Sequence, residues 1–279
     1  MQFKGKFLDL SSPRVMGILN VTPDSFSDGG AFNILENSLA QAGLMLSEGA
    51  DIIDIGGEST RPGARDVSVQ QELDRVIPVI ELICQRFDTI VSIDTSKAQV
   101  MTEAVNAGAS LINDVRALQE KGALDAAVVA KVPVCLMHMQ GQPRVMQQNP
   151  RYDDVVKDVM MFLQDRISIC RKAGIAAEKI IVDPGFGFGK SLEHNYQMLA
   201  NLEKFHRLNV PILAGMSRKS MIGNLLQREI GERLAGNVAV ATLAAQKGVQ
   251  IIRVHDVKET VDAVKIINMI SAYKDNNER

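Results

Sequence analysis

Val210-Pro211-Ile212-Leu213-Ala214 runs straight into Gly215-Met216-Ser217-Arg218-Lys219-Ser220. An apolar stretch suited to a buried strand stops there and turns polar at once. The change recurs along the chain. Val15-Met16-Gly17-Ile18-Leu19 meets Asn20, Ile52-Ile53 meets Asp54, Ile90-Val91-Ser92-Ile93 meets Asp94, and Leu111-Ile112 meets Asn113. Later, Val134-Cys135-Leu136-Met137 meets His138, Ile180-Ile181-Val182 meets Asp183, and Ile251-Ile252 leads through Arg253-Val254 to His255. A core strand gains nothing from an amide or a charge at its carboxyl end. The layout therefore reads as a site built on strand tips, and it points to an enzyme.

Strands that are apolar on consecutive residues are buried on both faces, as parallel sheets are. Eight strand–helix units in about 250 residues is the size of a (β/α)8 TIM barrel, whose active sites lie at the carboxyl face of the strands. A doubly wound open sheet is the rival. It would use one crevice at a switch point, and polar residues after all eight strands argue against it. Residues 2–13 precede the first barrel strand and are expected to form a short hairpin closing the barrel bottom. No change of composition, linker or low-complexity tract interrupts the alternation, so the expectation is a single domain over residues 1–279.

A 279-residue chain that is 46% hydrophobic has material for a large core. Its net charge is −2 and it has no basic run, which argues against a nucleic-acid partner. No apolar segment approaches the roughly 18 residues needed to cross a bilayer, and the first residues lack the apolar stretch of a secretory signal. Cys84, Cys135 and Cys170 are odd in number and far apart, in apolar segments. They read as buried free thiols of a reducing compartment rather than a disulfide set or zinc site. A cytoplasmic protein is the expectation.

Residues 67–86 carry Val69, Leu73, Val76, Ile77, Ile80 and Ile83 on one helical face, begun by a capping box of Ser68 and Gln71. Pro78 is expected to bend this helix rather than end it. Ser96 with Gln99, and Asp256 with Glu259, are two more start signals. The last helix is expected to run through Val261, Val264, Ile267 and Ile270. Two connections, about 21–33 and 56–67, are long and rich in Gly, Ser, Thr, Pro and Asp, as lids over a substrate often are.

Gly185-Phe186-Gly187-Phe188-Gly189-Lys190-Ser191 comes near a nucleotide phosphate loop, but Pro184 stands where its first glycine belongs. It reads instead as a loop whose glycines let backbone approach a ligand held by Asp183. His138 and His255 with Asp54, Asp94 and Asp183 lack the short spacings of a metal cage. A Mg2+ ion held mainly by substrate phosphates, with one or two protein oxygens, fits better. Arg253 and His255 alternate on one strand end and point to the same side. Asn20 lies on the first strand, beside the eighth, and the three suit a diphosphate with its Mg2+; the Arg fork matches phosphate oxygens. Asp94, Asn113, Asp183 and Lys219 supply two carboxylates, an amide and an ammonium, enough to read a flat heterocycle with mixed donors and acceptors.

Two longer segments carry a resemblance. Gly17-Ile18-Leu19-Asn20-Val21-Thr22-Pro23-Asp24-Ser25-Phe26-Ser27-Asp28-Gly29-Gly30 and Asp54-Ile55-Gly56-Gly57-Glu58-Ser59-Thr60-Arg61-Pro62-Gly63 resemble the two signature segments of the dihydropteroate synthase family. Ser92-Ile93-Asp94-Thr95, Ile112-Asn113-Asp114, Met137-His138-Met139-Gln140-Gly141, Asp183 to Lys190, Ser217-Arg218-Lys219-Ser220 and Arg253-Val254-His255-Asp256 match it as well. The resemblance implies joining of 6-hydroxymethyl-7,8-dihydropterin diphosphate to para-aminobenzoate, with release of diphosphate, in folate biosynthesis. It implies that Asp94, Asn113, Asp183 and Lys219 hold the pterin, with Met137 and Arg253 on its faces. Asn20, Arg253 and His255 would hold the diphosphate and Mg2+, with Asn20 as the metal ligand. Thr60, Arg61, Pro62 and Phe26 would close over the site. Para-aminobenzoate would sit among Phe188, Lys219 and Ser220, with Gly215 and Ser217 also among the substrate contacts. Asp94, Lys219, Arg253, His255 and Arg61 are the implied catalytic set. A homodimer and competition by sulfonamides are further implications. Two rivals stay open: a methyltetrahydrofolate-type methyl-transfer barrel, and a non-catalytic pterin-binding barrel.

Overall fold

The eight apolar runs form the eight strands of a parallel sheet, and the amphipathic segments between them form helices. The computed structural model describes residues 1–22, 31–59, 66–141, 146 and 150–274. A short antiparallel hairpin, β1 (Gln2–Phe3) and β2 (Lys6–Phe7), comes first. The barrel strands follow: β3 (Arg14–Asn20), β4 (Ile52–Gly56), β5 (Ile90–Asp94), β6 (Leu111–Asp114), β7 (Val134–Met137), β8 (Ile180–Asp183), β9 (Leu213–Ala214) and β10 (Ile251–Val254). Hydrogen bonding runs in the order β8-β7-β6-β5-β4-β3-β10-β9, and a parallel bridge between Val182 and Ile212 closes β9 back onto β8. The sheet is thus a (β/α)8 barrel rather than an open sheet.

Around it stand α1 (Ala31–Ser47), α2 (Val69–Arg86), α3 (Ala98–Ala107), α4 (Ala123–Ala130), α5 (Val155–Lys172), α6 (Leu192–Ala200), α7 (Ser220–Leu226), α8 (Leu234–Gln246) and α9 (Val257–Lys274). The capping box of Ser68 and Gln71 opens α2, and the helix continues through Pro78. Its buried face carries Leu73, Val76, Val79, Ile80 and Ile83, and also the carboxylate-bearing Glu72. One helix start differs from expectation. Ser96 does not cap α3: the helix starts one residue later, after Lys97, and the Ser96 hydroxyl donates to Asp114 instead. α9 runs through Val261, Val264, Ile267 and Ile270 as expected, with the first three buried and Ile270 48% exposed. Cys135 and Cys170 are buried thiols, whereas Cys84 is half-buried. Among the described residues, no helix is long and apolar enough to cross a membrane.

Side chains alternate across a strand, so every second residue faces the barrel axis. The lowest inward layer takes one residue from each barrel strand: Met16, Ile52, Ile90, Leu111, Cys135, Ile181, Leu213 and Ile251. Phe3 of the hairpin, with no exposed surface, packs into this layer from below. The hairpin expected at residues 2–13 therefore forms, and its single inward aromatic ring plugs the barrel. The hairpin is tied down further by Lys4 to the carbonyl of Val105 at 2.7 Å and Lys6 to that of Thr89 at 2.7 Å. Phe3→Ala should cost about 3–5 kcal/mol, the range for emptying a large core site. Urea denaturation followed by circular dichroism measures it, and a loss below about 1 kcal/mol would show that the plug is dispensable.

Candidate active site

Two residues above the apolar layer, the same eight strands or their ends present Ile18, Asp54, Ser92, Asn113, Met137, Asp183, Gly215 and Arg253. The inward faces change from wholly apolar to mostly polar in one step of the pleat. The sharpest contacts are those of Arg253. Its Nε donates to Asp54 Oδ2 at 2.6 Å, and its Nη2 donates to Asp94 Oδ2 at 2.8 Å. Asn113 Nδ2 donates to the same Asp54 oxygen at 3.1 Å. Asp54 is therefore the hub that orients both a pocket amide and a pocket guanidinium, although strand-tip reasoning does not place it among the binding residues. The other Asp54 oxygen and the Ser92 hydroxyl, its register neighbour on β5, are buried without a protein partner among the described residues.

Burial works against the charge of Arg253, but Asp54 and Asp94 outweigh it and hold the guanidinium protonated. Burial pushes Asp94 up to about 7; Arg253 opposes the shift, and the charges of Asp54 and Asp114 add to it. Burial also raises Asp183, against Lys219 and the Gly185 amide that donates to its Oδ1 at 2.7 Å. Lys219 is pushed down to about 8 by burial, opposed by Asp183. Desolvation thus brings an acid and a base close to neutrality inside one pocket.

Lys219 Nζ donates to the carbonyl of Phe186 at 2.6 Å and lies 4.6 Å from the centre of the Phe188 ring. Phe188 packs with Met137, Val115 and Met146 in a small apolar cluster beside the polar groups. Gly215 lies between the two cations: a Cβ there would be in ordinary contact with both Arg253, at 3.7 Å, and Lys219 Nζ, at 3.9 Å.

At the mouth, Asn20 Oδ1 and Asp94 Oδ2 each lie 3.9 Å from the position a Gly56 Cβ would take, so glycine leaves room between two oxygen donors. Ser217 Oγ is 3.0 Å from His255 Nδ1 and accepts the His255 backbone N–H at 3.2 Å. The residue after it, Arg218, has a left-handed backbone with φ of +58°, a conformation costing about 1–2 kcal/mol for a side-chain-bearing residue. Asn237 of α8 sustains it. Its Oδ1 accepts the Arg218 amide at 2.8 Å, while its Nδ2 donates to Asp256. Arg218 also pairs with Asp256, and Arg233 Nη1 donates to the Arg218 carbonyl at 2.8 Å. Asp256 precedes α9 as expected, with its carboxylate turned to this network.

The structure brings together Asn20, Asp94, Asn113, Met137, Asp183, Phe188, Gly215, Ser217, Lys219, Arg253 and His255 at the carboxyl ends of the strands. Ser220 opens α7 directly after Lys219. Phe26, Thr60, Arg61 and Pro62 lie outside the described residues. The ends of the second long loop are described, and one carboxylate joins them. Glu58 Oε1 accepts the Val67 amide at 3.2 Å, and Oε2 accepts Lys97 Nζ at 2.6 Å. Lys97 also pairs with Glu72, which has no exposed surface. Sequence reasoning missed Glu58, Lys97 and Asn237; the one signal available for such a pair is the position of Glu72, three residues after Val69 and four before Val76 on the apolar face of its helix. His138 turns away from the carboxylates and meets Lys190. Among the described residues, no three His, Cys, Asp or Glu side chains are grouped to hold a metal by themselves.

A barrel with this polar layer is a small-molecule enzyme, and comparison with known proteins narrows the class. The family model of pterin binding enzymes matches residues 16–255. The dihydropteroate synthase of Escherichia coli K12 is 57% identical over 273 residues, 98% of this chain and 97% of that one. The crystal structure of Yersinia pestis dihydropteroate synthase in a sulfonamide drug complex superposes with a TM-score of 0.94 at 59% identity, covering 98% of this chain and 99% of that one. The Xanthomonas albilineans enzyme with 4-aminobenzoic acid gives 0.91 at 52% identity, with 96% of both chains covered. The chain belongs to the dihydropteroate synthase family, and it is a transferase.

The Asp94 shift has a consequence for stability. A carboxyl whose folded pKa lies above its unfolded value holds its proton more tightly when folded. Its stabilising contribution is complete below the unfolded value of 3.8 and is lost as the pH rises through about 7. In Asp94→Asn, which removes this titration, the melting temperature relative to wild type should rise between pH 4 and pH 8 by several degrees, for about 1–3 kcal/mol. Melting curves of both proteins at the two pH values measure it, and a difference that does not change with pH would show that Asp94 titrates as an ordinary carboxylate.

Proposed function

We propose that the chain joins 6-hydroxymethyl-7,8-dihydropterin diphosphate to 4-aminobenzoate, forming 7,8-dihydropteroate and releasing diphosphate in folate biosynthesis. The observation that carries this reading is the polar layer of Asp54, Asn113, Asp183 and Arg253, with Lys219 and Asp94 at its edge, set directly above a sealed apolar one. A dihydropterin ring is flat and carries donors and acceptors around its rim. Asp183 accepts from ring N–H groups, Asn113 both donates and accepts, and Lys219 donates. Met137 and the Arg253 guanidinium lie against the faces of the ring. We assign 4-aminobenzoate to the space bounded by Phe188, Lys219 and Ser220, with Gly215 and Ser217 beneath it.

The charge pattern suits departure of diphosphate followed by amine attack. Arg253 and His255 stabilise negative charge on the leaving group, where low dielectric makes fixed charges count for most. Asp94 offsets positive charge on the pterin methylene once its proton is gone. A neutral arylamine needs orientation more than a strong base, which the walls of Phe188 and the 217–220 turn supply. The paired oxygens of Asn20 and Asp94 around Gly56 are hard donors of the kind Mg2+ prefers, and Asn20 is assigned as the metal ligand. When bound, Mg2+ neutralises charge on the diphosphate. Phe26, Thr60, Arg61 and Pro62 are assigned to closing over the bound substrates, with Arg61 in the catalytic set. The methyl-transfer rival needs no diphosphate group such as that of Asn20, Arg253 and His255.

The whole chain is assigned to one barrel domain working in the cytoplasm, and a second copy is its assigned partner. Leu225, Leu226, Ile230 and Leu234 near α7 and α8, with Ile266, Met269 and Tyr273 on α9, are exposed apolar side chains on the side of the barrel built by these helices. Light scattering on the purified protein should give twice 30.5 kDa, and Ile266→Glu with Met269→Glu should shift it towards the monomer. A monomeric wild type would sink the dimer.

Diphosphate release from dihydropterin diphosphate with Mg2+, measured with and without 4-aminobenzoate, tests the reaction. Release that depends on the amine and forms dihydropteroate is expected, with sulfonamides competing with the amine. Pterin binding without release would favour a binding barrel. Asp183→Ala should lose one or two charge-assisted hydrogen bonds of about 1.5–3 kcal/mol each, lowering kcat/KM by about ten- to a hundredfold or more. Near-normal turnover would place the pterin elsewhere.

A further inference from the structure

The glycine-rich loop at residues 184–190 carries a lysine that the chemistry above does not use. Lys190 keeps 2% of its surface. Its Nζ lies 2.8 Å from the carbonyl of Gly185, 3.0 Å from that of Phe188 and 2.9 Å from His138 Nδ1. Burial lowers the pKa of this amine well below that of an ordinary lysine, against the pull of Asp183. As an ammonium it has three protons for three acceptors, with no carboxylate within bonding distance among the described residues. In that form His138 accepts at Nδ1 and carries its proton on Nε2. Burial, reinforced by the Lys190 charge, holds this imidazole neutral, and the edge of Phe162 against its ring, 4.9 Å between centres, fixes its orientation.

The loop lies backbone to backbone on the segment after β7. A Cβ on Gly185 would collide with the His138 carbonyl, and one on Gly189 with that of Gln140; both glycines have left-handed φ, +71° and +63°. Other side chains hold two more of its backbone groups: Asn195 accepts the Gly187 amide at 2.7 Å, and Tyr152 donates to the Gly189 carbonyl at 2.8 Å. Lys190 grips the loop at both ends of the Gly185–Phe188 turn from behind, while Lys219 grips Phe186 from the pocket side. Filling this space would need only a methylene chain, and burying an ammonium is costly. Its three donors are what an apolar side chain lacks.

We propose that Lys190, seated on His138, is a positioning residue for the amine substrate: by fixing the Gly185–Phe188 turn at the carbonyls of both its ends it sets the Phe188 ring. This rests on the assignment of Phe188 to the 4-aminobenzoate subsite. Asp183 ends β8, ahead of the turn that Lys190 holds, so separate readouts for the two substrates distinguish the role from general loss of structure.

The test uses Lys190→Met in the full-length enzyme with Mg2+. KM for 4-aminobenzoate should rise by at least about tenfold, while the Kd for dihydropterin diphosphate by calorimetry stays within about threefold. In a Phe188→Ala background the same substitution should change KM by less than about twofold, because the group it acts through is gone. An unchanged KM, equal losses for both substrates, or full effect in the Phe188→Ala background would each overturn the proposal. Should Lys190→Met not accumulate as folded protein, His138 decides. His138→Leu removes the third acceptor and should raise KM for the amine, whereas His138→Asn keeps an acceptor near Nδ1 and should restore it; two variants alike would overturn the proposal. Wild type without amine-dependent release would instead sink the functional reading, so the two failures are distinguishable.

Discussion

Arg253 sits inside the barrel with Asp54 on one edge of its guanidinium and Asp94 on another, and the rest of the site is arranged around that pair of contacts. A charge so placed is tolerated only when paired and hydrogen-bonded. Asp54 satisfies it from below and also binds Asn113, which fixes the amide that faces the substrate. Asp94 satisfies it from the mouth, where Asn20 approaches across Gly56. Remove the guanidinium, and two carboxylates of like charge are left together in a poorly solvated space. The layer beneath is sealed by Phe3 and eight apolar side chains. That seal keeps water from screening the pair and is the reason burial dominates the titration of Asp94, Asp183 and Lys219.

Around this centre, Phe188, Ser217 and Lys219 stand on turns rather than on regular elements, and each turn is held from behind. The turn at 217–220 hangs on Asn237 and Arg233, with Asp256 gripping Arg218. The loop at 184–190 hangs on Lys190, Asn195 and Tyr152. The second long loop is drawn together at its base by Glu58, Lys97 and Glu72. A left-handed Arg218 and three left-handed glycines in one loop persist because these partners over-determine the backbone. Loop positions gain in this way the precision that a strand position has by default.

Much of this was legible from local pattern. Strand runs, the polar residue closing each one, the capping box before α2 and the plugging hairpin all depend on neighbours a few residues apart, where periodicity and capping act. Ser96 misled because its hydroxyl donates to the carboxylate of Asp114, eighteen positions on, and the helix begins one residue later, after Lys97, instead of taking the Ser96 oxygen as acceptor for its first N–H groups. Asp54 was seen as a strand tip but not as a hub, because its partners Asn113 and Arg253 come from strands distant in sequence. Lys190 looked like the remnant of a phosphate loop; its carbonyl partners are local, but burial against His138 is not.

The sequence by itself determined the barrel, the strand ends as the working face and the family, since consecutive apolar residues, helical periods and signature segments are properties of adjacent positions. Tertiary structure alone decided which of those strand-end groups act on one another. Closure of β9 onto β8 brings eight strands round one axis, and the pleat then selects every second residue for the interior. Only in that enclosed space do Asp54, Asp94 and Arg253 come within bonding distance, and only there does loss of water shift an acid and a base towards neutrality.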